Sequence, residues 1–378
     1  MRGGHTHGMT TIIHATEPAE LLGIVPALAG FTPRCSVVLL PFRGTRTHGA
    51  LRVDLPAPDA DPDAFADAAV HALLQVSGVD AAALVVYTDD RPLPVPDGVL
   101  LPHLVLAEAV GDVILEAGLH LVDALCVTPD GWGDYREDDP TIRPLESIPV
   151  GDGIPGVGDV SGDQLAGAEL PGSDLADRER VGRALAELEE LLDRRPSMSP
   201  ARDTNPIALI TAMEVLDDLP GFVEELIERP ADDDPYGCAA LLWCLARPAL
   251  RDAVLVQWAT DREFGCRALE AQMEFSRQRG DIPRAIGEVF LGRGAPPDPD
   301  RLGCALELVR LVAARAPRQA KPGALTAAAW LAWALGRSSH AGVYVDEALR
   351  IDPGHSMASL ISTMLSAAVL PEWVLRRR

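Results

Sequence analysis

The sequence predicts an α/β domain with a mixed or mostly parallel sheet, followed by an all-α domain that ends in a tetratricopeptide-like helical hairpin. Three observations carry that expectation. Strand-length apolar runs alternate with helix-period segments over residues 9–150. Strand signals vanish from Asp174 onward. In the last quarter, small residues and a proline recur at the offsets of a helix-turn-helix repeat of about 34 residues. The expected boundaries are 9–150 for the α/β domain, 151–205 for a linker and connecting helix, and 206–378 for the helical domain, with 323–371 tetratricopeptide-like.

Taken in order, residues 10–15 are β-branched and read as a strand. Glu17, Pro18 and Glu20 then open a helix whose apolar positions are Leu21, Leu22, Val25 and Leu28, and Gly30 stops it. Residues 35–42 form a continuous apolar run of strand length, the pattern of a strand covered on both faces. After a turn at 43–46, Leu51, Val53 and Leu55 alternate with Arg52 and Asp54, as in a half-buried strand. Phe65, Ala69, Leu73 and Val76 mark a second helix, closed by Gly78. Residues 82–88 read as a second buried strand, 99–117 as a helix and 120–128 as a further strand. The order βαββαβαβ is that of a layered α/β domain. The glycine-rich stretch 151–158 lacks lysine and follows proline-punctuated loop, so it reads as a linker.

In the second half, Leu185, Leu188, Leu191 and Leu192 share one face of a charged connecting helix. Helices are expected at 207–216, 222–228, 236–245, 250–258 and 266–275. Ala341, Val345, Ala348 and Pro353 then stand where a tetratricopeptide repeat places its second helix, and Leu325, Ala328, Ala329 and Ala332 where it places its first. Residues 356–370 follow as a capping helix.

Asp and Glu number 56 against 33 Lys and Arg, a net charge of −23. Such a surface repels phosphate backbones, which excludes nucleic acid as a general partner. With 47% hydrophobic residues the chain is no disordered acidic solvator. Lys321 is the sole lysine and Asn205 the sole asparagine, while Ala, Arg, Gly, Pro and Asp abound, so arginine richness reflects compositional bias rather than a phosphate site. The six cysteines are scattered without a CxxC pair, as buried thiols of a cytoplasmic protein are. The uncharged stretch 354–371 is interrupted by serines and reads as a soluble helix, not a membrane span. No GxGxxG follows the first strand, and GxxxxGK[ST], GxSxG and HExxH are missing.

Three groups of residues are candidates for function. Asp54, Asp89, Asp90 and Asp130 fall at or beyond strand ends, where α/β sheets bind ligands, and could together hold Mg²⁺ and a phosphorylated ligand; the same residues serve equally as turn and cap residues. Trp132 and Tyr135 follow a strand in a chain with only 4% aromatic residues, either as a stacking platform or as a packed loop. Trp330 and Trp333 lie off the four packing positions of the repeat's first helix, either as anchors for a protein partner or as core.

The combination Pro18-Ala19-Glu20-Leu21-Leu22, Gly30-Phe31-Thr32-Pro33 and Leu51-Arg52-Val53-Asp54-Leu55-Pro56, with Trp132, Tyr135 and an Ala/Trp-rich tail over 323–371, resembles an actinobacterial domain-of-unknown-function family. The resemblance spans most of the chain and implies a cytoplasmic protein without an assigned chemistry. In that family the Trp-Tyr segment is often followed by cysteines and Pro-Gly. Here Arg136-Glu137-Asp138-Asp139-Pro140 stands there, so no thiol role transfers to this loop. The leading expectation is a non-catalytic binding or regulatory module that docks a protein partner through its helical half, with homo-oligomers as a further possibility. The alternative is a Mg²⁺-dependent enzyme using the sheet-edge carboxylates.

Overall fold

A computed structural model describes residues 17–47, 49–96, 98–149, 162–193, 204–228, 234–278 and 281–375. The expected strand at 10–15 and linker at 151–158 lie outside the described residues. The chain divides into two compact units, Met1–Ala166 and Gly167–Arg377.

The first unit runs α1 (Pro18–Ala29), β1 (Ser36–Arg43), β2 (Arg46–Thr47), β3 (Leu51–Asp54), α2 (Pro62–Leu74), β4 (Ala81–Tyr87), β5 (Leu93–Val95), β6 (Gly98–Leu100), α3 (Leu104–Glu116), β7 (His120–Thr128) and β8 (Gly131–Asp134). Pro18 starts α1, the Glu20 carboxylate accepts from the Glu17 N–H at 3.3 Å, and Gly30 ends the helix with a left-handed φ of 81°. Asp61 caps α2 by accepting from the Asp63 N–H. The expected helix at 99–117 is divided: residues 98–100 pair with β5, and α3 begins only after Pro102 and His103, whose φ is 58°.

The main sheet has six strands in the order β2-β1-β4-β7-β8, with β3 also on β1. It is mixed, and β4–β7 is the one parallel pair among the described residues. A mostly parallel sheet is therefore corrected. The short β1–β3 and β7–β8 connections leave room only for antiparallel neighbours, whereas the longer crossover through α3 permits the parallel pair.

Alternation explains the layers. Val37, Leu39, Leu84 and Val86 face one side with Val70 and Leu73 of α2 and Val110 and Ile114 of α3. Val38, Leu40, Ala83 and Val85 face the other with Leu21, Leu22 and Val25 of α1. Both faces of β1 and β4 are thus covered, as their unbroken apolar runs require.

The second unit is helical: α4 (Leu175–Leu192), α5 (Pro206–Asp217), α6 (Leu219–Glu228), α7 (Pro235–Leu245), α8 (Pro248–Ala259), α9 (Arg262–Gln278), α10 (Arg284–Phe290), α11 (Pro299–Arg315), α12 (Lys321–Ala334), α13 (Ser338–Ile351), α14 (Ser356–Ser366) and α15 (Glu372–Leu375). Asn205, Asp234 and Asp298 each cap a helix whose first residue is proline, α5, α7 and α11 respectively. The expected connecting helix, α4, buries Val181, Ala184, Leu185 and Leu188 in the helical core. Every residue of α12 from Pro322 to Ala334 is buried, and α13 packs against it after a turn at Gly336, where φ is 83°. No helix among the described residues is long and apolar enough to cross a membrane.

His355 caps α14, its Nδ1 accepting from the Ala358 N–H at 3.3 Å. Burial, and secondarily Arg251, holds the imidazole below its ordinary value of 6.5, against a smaller opposing effect of Asp352. Between the folded value and 6.5 the unfolded chain binds more protons, so stability rises with pH there. The contribution is complete above 6.5 and is lost as the pH falls through the folded value. Thermal melts across this range should show an acid-side loss on the order of 1 kcal/mol, the usual worth of a cap. In His355→Asn, which keeps a capping acceptor without a titrating ring, this component of the pH dependence should vanish.

Candidate functional site

The topology brings the four aspartates to one end of the sheet without gathering them into a site. Asp54 pairs in register with Ser36, Ser36 with Tyr87, and Tyr87 with Val127, so the segments carrying Asp89, Asp90 and Asp130 leave the sheet at the same end. Each carboxylate takes its own side-chain partner. Asp54 pairs with Arg52, Asp89 with Arg34 at 2.9 Å, Asp90 with His103 at 3.2 Å, and Asp130 with Arg91 at 3.0 Å. The Arg34 hydrogen bond holds Asp89 below the usual carboxylate range. Among the described residues no group of three His, Cys, Asp or Glu could hold a metal ion. The expected Mg²⁺ centre is therefore corrected: Asp54 closes β3, Asp89, Asp90 and Asp130 stand in the turns that follow strands, and each is turned to a separate partner.

Cys35, with a φ of 45°, and His103 adjoin this cluster and were not singled out from the sequence. The Cys35 thiol lies 3.6 Å from Asp89 Oδ2, and burial with that carboxylate pushes its pKa up, keeping it protonated. His103 Nε2 lies 3.1 Å from the Thr88 hydroxyl.

Trp330 and Trp333 are core residues, 1% and 0% exposed. Their indole N–H groups donate to the Phe290 carbonyl at 3.3 Å and the Val369 carbonyl at 2.7 Å, and the Phe290 ring packs tilted against Trp330 with centroids 5.4 Å apart. Their role as surface anchors is corrected. In an isolated repeat one face of the first helix stays open, but here α12 is enclosed on every side.

The outward apolar surface lies on α5 instead. Ala208, Thr211, Ala212 and Val215 are buried, whereas Ile207, Ile210, Met213 and Leu216 are 57%, 57%, 53% and 65% exposed. Three-residue spacing carries the exposed set around the side opposite the buried one. The sequence held the signal: apolar residues surround the whole helix, although burial against one neighbour needs only a stripe.

Trp132 and Tyr135 do not form one platform. Three residues apart along extended chain, they point to opposite faces of the sheet, Trp132 into the α1 side and Tyr135 into the α2–α3 side. The Tyr135 hydroxyl donates to the Pro102 carbonyl at 2.6 Å. Trp132 is 4% exposed and forms the floor of a cleft of about 410 Å³. The start of α1 contributes Glu17, Pro18 and Ala19 as one wall, and Asp134, Glu137, Arg143, Pro144 and Ser147 form the rest.

The cleft is assembled by backbone pairing. The Trp132 N–H donates to the Arg143 carbonyl at 2.9 Å and the Arg143 N–H to the Trp132 carbonyl at 2.8 Å. Directly paired residues project to the same side, and the Arg143 guanidinium accordingly lies 4.8 Å over the Trp132 ring. Glu137 pairs with Arg143 from the side and is held below the usual carboxylate range by it. The Trp132 indole N–H donates to Ser147 Oγ at 2.9 Å. A β-carbon on Gly131, whose φ is 147°, would stand 2.3 Å from the Arg143 carbonyl oxygen, so only glycine lets the two segments approach.

The model of a domain of unknown function, DUF4192, matches residues 18–272 and 298–372. The chain belongs to this family. Neither curated proteins nor solved structures give a match. The DUF4192 match takes in the residues that build the cleft from Pro18 onward, the exposed face of α5 and both core tryptophans.

Two stability measurements check these placements. Gly131→Ala should lose about 1–3 kcal/mol from backbone strain alone, together with the Trp132–Arg143 contact, read by denaturant unfolding. Trp333→Ala should cost about 3–5 kcal/mol; a near-neutral result would contradict its place in the core.

Proposed function

We propose that this DUF4192 protein is a non-catalytic binding module whose helical unit docks a protein partner. The observation that carries the reading is the α5 surface. Four large apolar side chains on one helix are each more than half exposed, and contiguous apolar surface of this kind marks interaction sites. The pairing of α12 with α13, followed by α14, supports a tetratricopeptide-like reading of the tail, here as the buried support of the unit rather than as its binding face.

Charge narrows the partner. Glu214 and Asp217 are exposed beside the apolar residues of α5, and the whole chain carries −23. A complementary surface presents apolar side chains flanked by Lys or Arg. A second copy of this chain would bring like-charged rims together, and an anionic membrane would be repelled.

The test compares wild type with Ile210→Asp/Met213→Asp in native-lysate capture. Both positions face solvent, so the variant should melt within about 0.5 kcal/mol of wild type. A protein retained by wild type and released by the variant supports the reading. Identical captured sets would sink it, as would concentration-dependent self-association in sedimentation that the variant abolishes.

A further inference from the structure

The cleft on Trp132 combines an aromatic face, a carboxylate at its side and room for a ligand body. Arg143 shows what that combination recognises. Its guanidinium lies 4.8 Å over the indole ring while Glu137 forms an ion pair with it, the combination by which proteins bind organic cations. The Arg143 side chain remains 35% exposed and is attached through a backbone bridge that does not depend on it. It can therefore leave the ring without breaking the β-pairing that forms the floor. The cleft of about 410 Å³ is lined also by Pro18, Ala19 and Pro144, and by Glu17 at the start of α1. The lining carries Glu17, Asp134 and Glu137 against Arg143, with Arg136 paired to Asp134 at 3.3 Å, so the balance of charge still disfavours an anionic ligand.

We propose that this cleft binds a small organic cation, a guanidinium or ammonium compound with a short aliphatic body, which exchanges with Arg143 for the Trp132 face and the Glu137 carboxylate. A second positive group on the same molecule reaches toward Glu17. Arg143 is the resident competitor: it keeps the aromatic face covered and sets the ligand concentration at which the site fills.

Agmatine, which carries a guanidinium and an ammonium on a four-carbon chain, is the probe, and glutarate the anionic control, both at constant ionic strength. The readout is the ¹⁵N-resolved indole N–H of Trp132, assigned by Trp132→Phe; the other five tryptophans all lie beyond residue 166. Agmatine should shift this signal saturably, and glutarate should not. Arg143→Gln, by removing the competitor, should tighten agmatine binding at least about tenfold, a gain of about 1.4 kcal/mol. Adding Glu137→Gln should reverse most of that gain. If Arg143→Gln fails to melt cooperatively, Arg143→Lys replaces it and should give a smaller gain in the same direction. The proposal is overturned by an absence of saturable shift in both wild type and the Arg143 variant, by equal affinity in the two, or by a stronger response to glutarate. None of these outcomes bears on docking through α5, which is read in the other unit.

Discussion

Residues 82–86 of β4 and 327–334 of α12 carry no charged or hydroxyl side chain for water to solvate on any side, so each segment must be enclosed. At about 25 cal/mol for each Å² of apolar surface removed from water, enclosure outweighs local preferences of a few tenths of a kcal/mol. In the first unit, β4 is flanked by β1 and β7 and covered by helices on both faces. In the second, α7, α8, α11, α13 and α14 pack around α12. Enclosing these two segments sets the arrangement of their neighbours.

Polar chemistry is thereby confined to the margins. At the carboxyl ends of β4 and β7, polar side chains are satisfied in separate pairs, and among the described residues no group of three metal-ligating side chains converges. At the β8 edge, by contrast, a second extended segment pairs with Trp132 and brings a guanidinium, a carboxylate and a helix start around one aromatic ring. This difference is one of geometry rather than composition. Turn residues radiate outward from a sheet end, whereas a bridged loop folds its side chains back over the strand it pairs with.

Much of the fold was legible in the residues. The apolar runs read at 35–42 and 82–88 identified strands covered on both faces, because a strand exposed on either side must alternate. The helices read at 207–216 and 236–245 correspond to α5 and α7, each opened by a capped proline. The division at 98–104 was not legible, because Val99 to Leu101 fit a helical apolar face as well as a strand, and only pairing with residues 93–95 decides between them. The candidate sites were less legible still. Trp330 and Trp333 carry the same residue type and spacing whether they anchor a partner or fill a core.

By itself, the sequence determined the class of each half, the approximate order of elements, the family and the net charge of −23, because these depend on local periodicity and on counting. Tertiary structure alone decided that α12 is surrounded while α5 is not, that Asp54, Asp89 and Asp130 share a sheet end without sharing a ligand, and that Arg143 lies on Trp132. Periodicity states how many sides of an element are apolar. Which neighbour covers each side is a property of contacts between segments distant in the chain, and no local pattern encodes it.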